Sequence, residues 1–158
     1  IYEVYGITAA TLYRRQNNVY LDDMYIKGRS HLAIIEKRDK SALKMMVKYL
    51  QERKVLIALI DQRDINNGDD ILFFGKYAKL PTALMRIAIK NECEIFCAYC
   101  VRNEISKTKF TLIAEPFLEI PKGATPQEIT QKVFNIFENW IRKHPLQWFC
   151  LMQDIWRR

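Results

Sequence analysis

Two hydrophobic rhythms alternate along the chain. Short runs rich in β-branched and aromatic residues predict strands at 7–13 and 31–35, and apolar positions between 17 and 27 fall at helical spacing. From Ser41 to Arg53, Leu43, Met46, Val47 and Leu50 follow the i, i+3, i+4, i+7 order of a helix face. Residues 55–60 form an unbroken apolar run that stops at Asp61, which predicts a strand buried on both faces. The stretch 61–79 reads as a polar loop around a small apolar island at 71–74. A helix is predicted over 81–91, a strand over 93–101, and an antiparallel neighbour over 109–114.

The last long helix has a clear start. Thr125, Pro126 and Glu128 make a capping box with proline in the first turn, and Ile129, Val133, Ile136, Phe137 and Trp140 form the expected face. It should stop before His144 and Pro145. Strands alternating with helices predict an α/β fold, layered, with a mainly parallel β-sheet flanked by helices and an antiparallel hairpin. Ligands of such sheets bind beyond the carboxyl ends of the strands. That rule selects Arg14, Asp61, Gln62 and Arg102, which stand where apolar runs end.

Composition narrows the class. The 158 residues suit a single domain over 1–158, and 49% apolar residues mark a globular chain. The first residue is Ile1, so we expect a domain truncated at its N-terminus. No apolar run approaches the roughly 18–20 residues of a membrane span, and any anchor is expected upstream. Lysine and arginine outnumber acids 25 to 18, a net charge of +7. Anionic lipid, an acidic protein or nucleic acid would each suit that balance. The basic residues are scattered and most aromatics lie inside apolar patterns, which argues against nucleic acid. Four cysteines without secretory context point to a reducing compartment.

Several motifs invite chemistry. Cys93, Cys97 and Cys100 have the C-x-x-x-C-x-x-C spacing of an iron–sulfur site that serves S-adenosylmethionine. In a strand, however, Cys93 and Cys97 would face one side and Cys100 the other, so the expectation is core cysteines. His31 and Glu36 spell H-x-x-x-x-E, a general base and its orienting acid. Five residues apart on a strand, they point to opposite faces. His144 beside Pro145 reads as a helix cap. Asp61, Asp64, Asp69 and Asp70 fit no calcium-loop spacing and read as a solvated loop. There is no glycine-rich phosphate loop and no G-x-S-x-G elbow.

An ordered set of small motifs covers nearly the whole chain. Tyr13-Arg14 precedes Asn17-Asn18, and Asp61-Gln62 is followed by Phe73-Phe74-Gly75, Pro81-Thr82 and Arg86-Ile87-Ala88. Then come Val101-Arg102, Glu115-Pro116, His144-Pro145, Gln147-Trp148 and Trp156-Arg157. The set resembles the lipid A biosynthesis acyltransferases, the late lauroyl and myristoyl transferases of Gram-negative bacteria. The resemblance implies transfer of a fatty acyl group from acyl carrier protein to a hydroxyl of a phosphorylated lipid A precursor. It also implies the cytoplasmic face of the inner membrane, and no cofactor beyond the acyl donor.

The family's H-x-x-x-x-D/E dyad precedes its Y-R motif, so the resemblance places the dyad before Ile1 and leaves this chain inactive alone. It makes Arg14 a phosphate or oxyanion contact, Asp61 and Gln62 supporting residues, and Arg102 and Arg86 candidates for substrate binding. Cys97 stands where the family often has proline, Ala83 where it has glycine, and Met152-Gln153-Asp154 replaces part of the usual W-x-x-H-R-R tail. A degenerate, non-catalytic relative that binds lipid or a partner is the alternative, and an iron–sulfur enzyme a weaker one.

Overall fold

The computed structural model describes residues 6–106, 108–148 and 155–156. The tail positions Met152, Gln153, Asp154 and Arg157, and the fourth cysteine, Cys150, lie outside the described residues. The chain is a mixed α/β fold in two compact units, Ile1–Leu59 and Ile60–Arg158.

The first unit is a parallel sheet with its two crossover helices. Strands β1 (Ala9–Tyr13), β2 (Leu32–Glu36) and β3 (Val55–Ile57) lie in the order β2-β1-β3. Ala9 pairs with Leu32 on one side and Val55 on the other, and Tyr13 pairs with Glu36. Helix α1 (Val19–Lys27) begins at Asn18, whose side chain accepts from the Tyr20 and Leu21 amides. Helix α2 (Ala42–Gln51) packs on β2 and β3. Its inward residues are Ala42 and Met46, while Leu43, expected on the core face, is exposed. The run 55–60 does not form the doubly buried strand expected. Pairing ends at Ile57, the strand is half-buried, and Leu59 is 79% exposed.

The second unit holds two antiparallel hairpins and two helices. The expected loop at 61–79 is in fact largely a hairpin, β4 (Asp69–Phe73) with β5 (Lys76–Leu80). Its turn is Phe74-Gly75, at φ 51° and 75°, both in the left-handed region that a two-residue hairpin turn requires. Alternation then puts Ile71, Phe73, Ala78 and Leu80 inside. Helix α3 (Ala83–Lys90) follows, then β6 (Ala98–Arg102) paired with β7 (Phe110–Ala114). Residues 93–97 are not part of the ladder, although the Ile95 and Cys97 carbonyls accept from the Leu118 and Glu115 amides, so β6 starts later than expected.

Helix α4 (Pro126–Lys143) carries the capping box. Thr125 accepts from the Glu128 amide at 3.2 Å, and the Thr125 amide donates to the Glu128 carboxylate at 2.7 Å. Its buried face is Ile129, Thr130, Val133, Phe134 and Trp140, with Ile136 and Phe137 half-buried. A second stripe of α4 acts as the missing neighbour of β4. Gln127 donates to the Asp70 carbonyl, Gln131 accepts from and donates to Leu72, and Glu138 accepts the Phe74 N–H at 2.9 Å. A strand edge that would otherwise recruit another chain is satisfied from a helix. A short 3₁₀ turn, Pro145–Gln147, follows the cap at His144.

Candidate functional site

The end of β1 carries the first set of candidates. Tyr13 closes the strand and Arg14 follows it, exposed, at the carboxyl end of the sheet's central strand. Tyr13 donates its hydroxyl to Asp22 of α1. The Gln16 amide donates to the same Asp22 oxygen at 2.7 Å, and Arg15 approaches the other at 3.3 Å. The Tyr13 bond, then the Gln16 N–H, lower the Asp22 carboxyl below its ordinary value, and Arg15 adds to this against the upward push of burial. Burial, then Asp22, pushes the Tyr13 hydroxyl the other way. Asp22 was not a candidate from sequence, because an acid on a helix is ordinarily solvated.

The second set lies in the second unit. Asp61 is half-buried four residues beyond the end of β3, not at a strand terminus as expected. It accepts the indole N–H of Trp148 at 3.4 Å. Gln62 beside it is exposed, and so is Arg86 on α3. Arg102 ends β6 as expected, exposed, with its guanidinium 4.5 Å over the Phe110 ring. Its main chain is held by one side chain. The Arg102 amide donates to Gln147 Oε1 at 2.7 Å, and Gln147 Nε2 donates to the Arg102 carbonyl at 3.4 Å. The adjacent residues Gln147 and Trp148 therefore tether Arg102 and Asp61, 41 positions apart in sequence, to one segment. The sequence shows both residues as a family-like pair but not which groups they hold.

The surrounding aromatics are packed closely. Fully buried Phe73 meets Phe74, Phe134, Trp148 and Trp156 at ring separations of 4.7, 5.2, 5.7 and 6.1 Å. The Trp156 indole donates to the Phe73 carbonyl at 2.9 Å. Arg142 lies over Phe74 and pairs with Glu138 at 2.6 Å. Burial pushes Glu138 up, but the Arg142 bond, the Phe74 N–H and the Arg142 charge outweigh it and hold the carboxyl below its ordinary value. Nearby, Trp140 donates to Glu115 at 2.7 Å and stacks on Tyr99 at 4.4 Å. Glu115, Trp140, Ile136, Asn139, Arg142 and Lys143 line an open pocket of about 410 Å³, which includes none of Arg14, Asp61, Gln62, Arg86 and Arg102.

The remaining motifs separate. Cys97 is buried, Cys93 half-buried and Cys100 exposed on the opposite side of the extended segment, so only one of the three is a core residue. Among the described residues no group of three or more His, Cys, Asp and Glu side chains is placed to hold a metal ion. His31 is exposed just before β2 and Glu36 closes that strand, which at about 3.3 Å per residue puts them ~16 Å apart. His144 caps α4 through its amide, bonded to the Trp140 carbonyl at 3.0 Å, and its ring sits 6.0 Å from Tyr99. Among the described residues no helix is long and apolar enough to cross a membrane.

A parallel βαβ unit with an arginine at the carboxyl end of its central strand, and a hairpin unit in which Gln147 and Trp148 hold Arg102 and Asp61, define a mixed α/β protein. The family model for bacterial lipid A biosynthesis acyltransferases matches residues 1–158, and the chain belongs to that family. No curated protein matches the chain.

Proposed function

We propose that the protein transfers a fatty acyl group from acyl carrier protein to a hydroxyl of a phosphorylated lipid A precursor at the cytoplasmic face of the inner membrane. The observation that carries this reading is membership of the acyltransferase family over the full 158 residues. The base and its orienting acid, an H-x-x-x-x-D/E pair, would come from residues before Ile1. There the histidine would take the proton of the acceptor hydroxyl as that oxygen attacks the thioester carbonyl, and return it to the carrier's thiolate as the C–S bond breaks. Arg14 would face the negative charge of a phosphate or of the tetrahedral oxyanion, to which a guanidinium offers two parallel donors. Asp61 and Arg102, held by Trp148 and Gln147, would orient the acceptor, with Gln62, next to Asp61 in the chain, in support and Arg86 a further candidate for substrate contact. Charge supports the partners, because residues 1–59 hold 11 Lys and Arg against 6 Asp and Glu. Acyl carrier protein, lipid phosphates and the inner leaflet are all anionic.

The test is acyl transfer by the full-length protein from acyl carrier protein loaded with a labelled twelve-carbon chain, with the product read by mass spectrometry. One added acyl ester on the lipid acceptor is expected. A folded preparation that yields only free fatty acid, or nothing, would point to the non-catalytic relative instead.

A further inference from the structure

Helix α1 is turned against expectation. Its one buried residue is an acid, Asp22, at 6% exposure, while Val19 and Tyr20 are 77% and 87% exposed and Met24 60%. A buried carboxylate is costly unless paired and hydrogen-bonded, and any apolar residue of α1 would fill the space at less cost. The partners of Asp22 suggest what it is there for. They are the Tyr13 hydroxyl, the Gln16 amide at 2.7 Å and the Arg15 guanidinium at 3.3 Å. Those residues bracket Arg14 on both sides. Gln16 completes the bracket, its side chain donating to the Arg14 carbonyl at 3.0 Å. Within the turn 13–16, Arg14 alone makes no bond to Asp22 among the described contacts.

We propose that Asp22 is a positioning residue for Arg14: one buried carboxylate fixes the turn at the carboxyl end of β1, so that the Arg14 guanidinium is presented from a rigid backbone. The inference rests on the acyltransferase reading for what Arg14 contacts, but not for how Arg14 is held. Residues 14–16, which follow the strand without regular structure, would otherwise sample many backbone conformations. A carboxylate that accepts from a hydroxyl, an amide and a guanidinium at once removes that freedom before any substrate arrives. Asp22 touches no substrate and acts only through its neighbours.

Asp22→Asn keeps the size and an acceptor oxygen but removes the charge that holds Arg15. In the full-length enzyme it should lower kcat/KM about 10–100-fold, as small misplacement of a reacting group does. Arg14→Ala should lower it about 100–1000-fold. Adding Asp22→Asn to Arg14→Ala should lower it no further, whereas losses that multiply would overturn the proposal. A second readout needs no activity. Backbone order parameters at Arg14 and Gln16, about 0.85 in the native chain, should fall toward ~0.6 in Asp22→Asn while those of β1 and β2 hold. Unchanged values would overturn the proposal whatever the kinetics. If β1 and β2 loosen as well, Tyr13→Phe removes a single bond and should give the same local pattern at smaller amplitude. A native enzyme that transfers nothing, with order lost at Arg14 on substitution, would sink the functional reading and leave the role of Asp22 standing.

Discussion

Burial pushes the Cys97 thiol up to about 11, and the nearby Glu115 charge adds to the effect. Three residues on, Cys100 is exposed on β6. The thiolate is the reactive form, so the two should differ sharply toward an alkylating reagent. Brief treatment of the folded protein with iodoacetamide at pH 8 should label Cys100 and spare Cys97, as read by peptide mass spectrometry. Equal labelling would show that the 93–100 segment is open. Glu138 offers a test of sign. Its folded pKa lies below the ordinary value, so the stability it contributes is present above about pH 4.3 and is lost as pH falls through the lowered folded value. Urea melts of the native chain and Glu138→Gln should differ by a constant amount above about pH 5 and converge as the pH falls through the lowered folded value. A difference that stays flat to pH 3 would sink the Arg142 and Phe74 pairing as its origin. At this scale the sequence is a partial guide. Arg14 and Arg102 stand at strand ends as their positions foretell. Asp22 and Glu138 were invisible, and Gln147 showed only as part of a motif, because pairing with a hydroxyl or a main-chain amide leaves no mark on local pattern.

Elements with their own local signals were legible, and those that depend on partners were not. The Thr125–Glu128 capping box and the stop at His144 fixed α4 correctly, since both signals are made within one turn. The β4–β5 hairpin was missed because Phe74 occupies a left-handed turn position that usually holds asparagine or glycine. Its stacking against Trp148 and the bond from its amide to Glu138 offset that strain. Strand β3 fell short for the opposite reason, since an apolar run says nothing of how many residues find a neighbour to pair with. The hairpin's other end sets a steric limit. A Cβ on Gly68 would lie 2.4 Å from the Asp64 carbonyl and 2.8 and 2.9 Å from the Leu80 backbone. These are main-chain atoms of a hydrogen-bonded turn, in which Gly68 donates to Asp64 and Asp64 donates to Lys79. Gly68→Ala should therefore destabilise the chain by about 2–3 kcal/mol in urea titration. A loss under about 0.5 kcal/mol would mean that the turn relaxes freely.

Over the whole molecule, the alternation of strands and helices revealed the α/β class, and the ordered motifs led to the family that the match over 1–158 establishes. What pattern could not show was the division into a parallel βαβ unit and a hairpin unit, because short apolar runs look alike whether they pair in parallel or fold back on themselves. The proposed chemistry is divided in a similar way. The described residues supply cations, an anchored aspartate and aromatic support, but the H-x-x-x-x-E spacing of His31 and Glu36 does not bring those two side chains together. His31 and Glu36 stand at opposite ends of β2, and His144 closes α4 beside Tyr99. General bases must reach the proton they remove within hydrogen-bond distance, and an orienting acid must reach the base. With the dyad upstream, as proposed, the 158-residue chain on its own should show no transfer from acyl carrier protein, while a chain extended upstream to include an H-x-x-x-x-D/E pair should show it. Turnover by the 158 residues alone, abolished by His31→Ala, would instead place the base at His31.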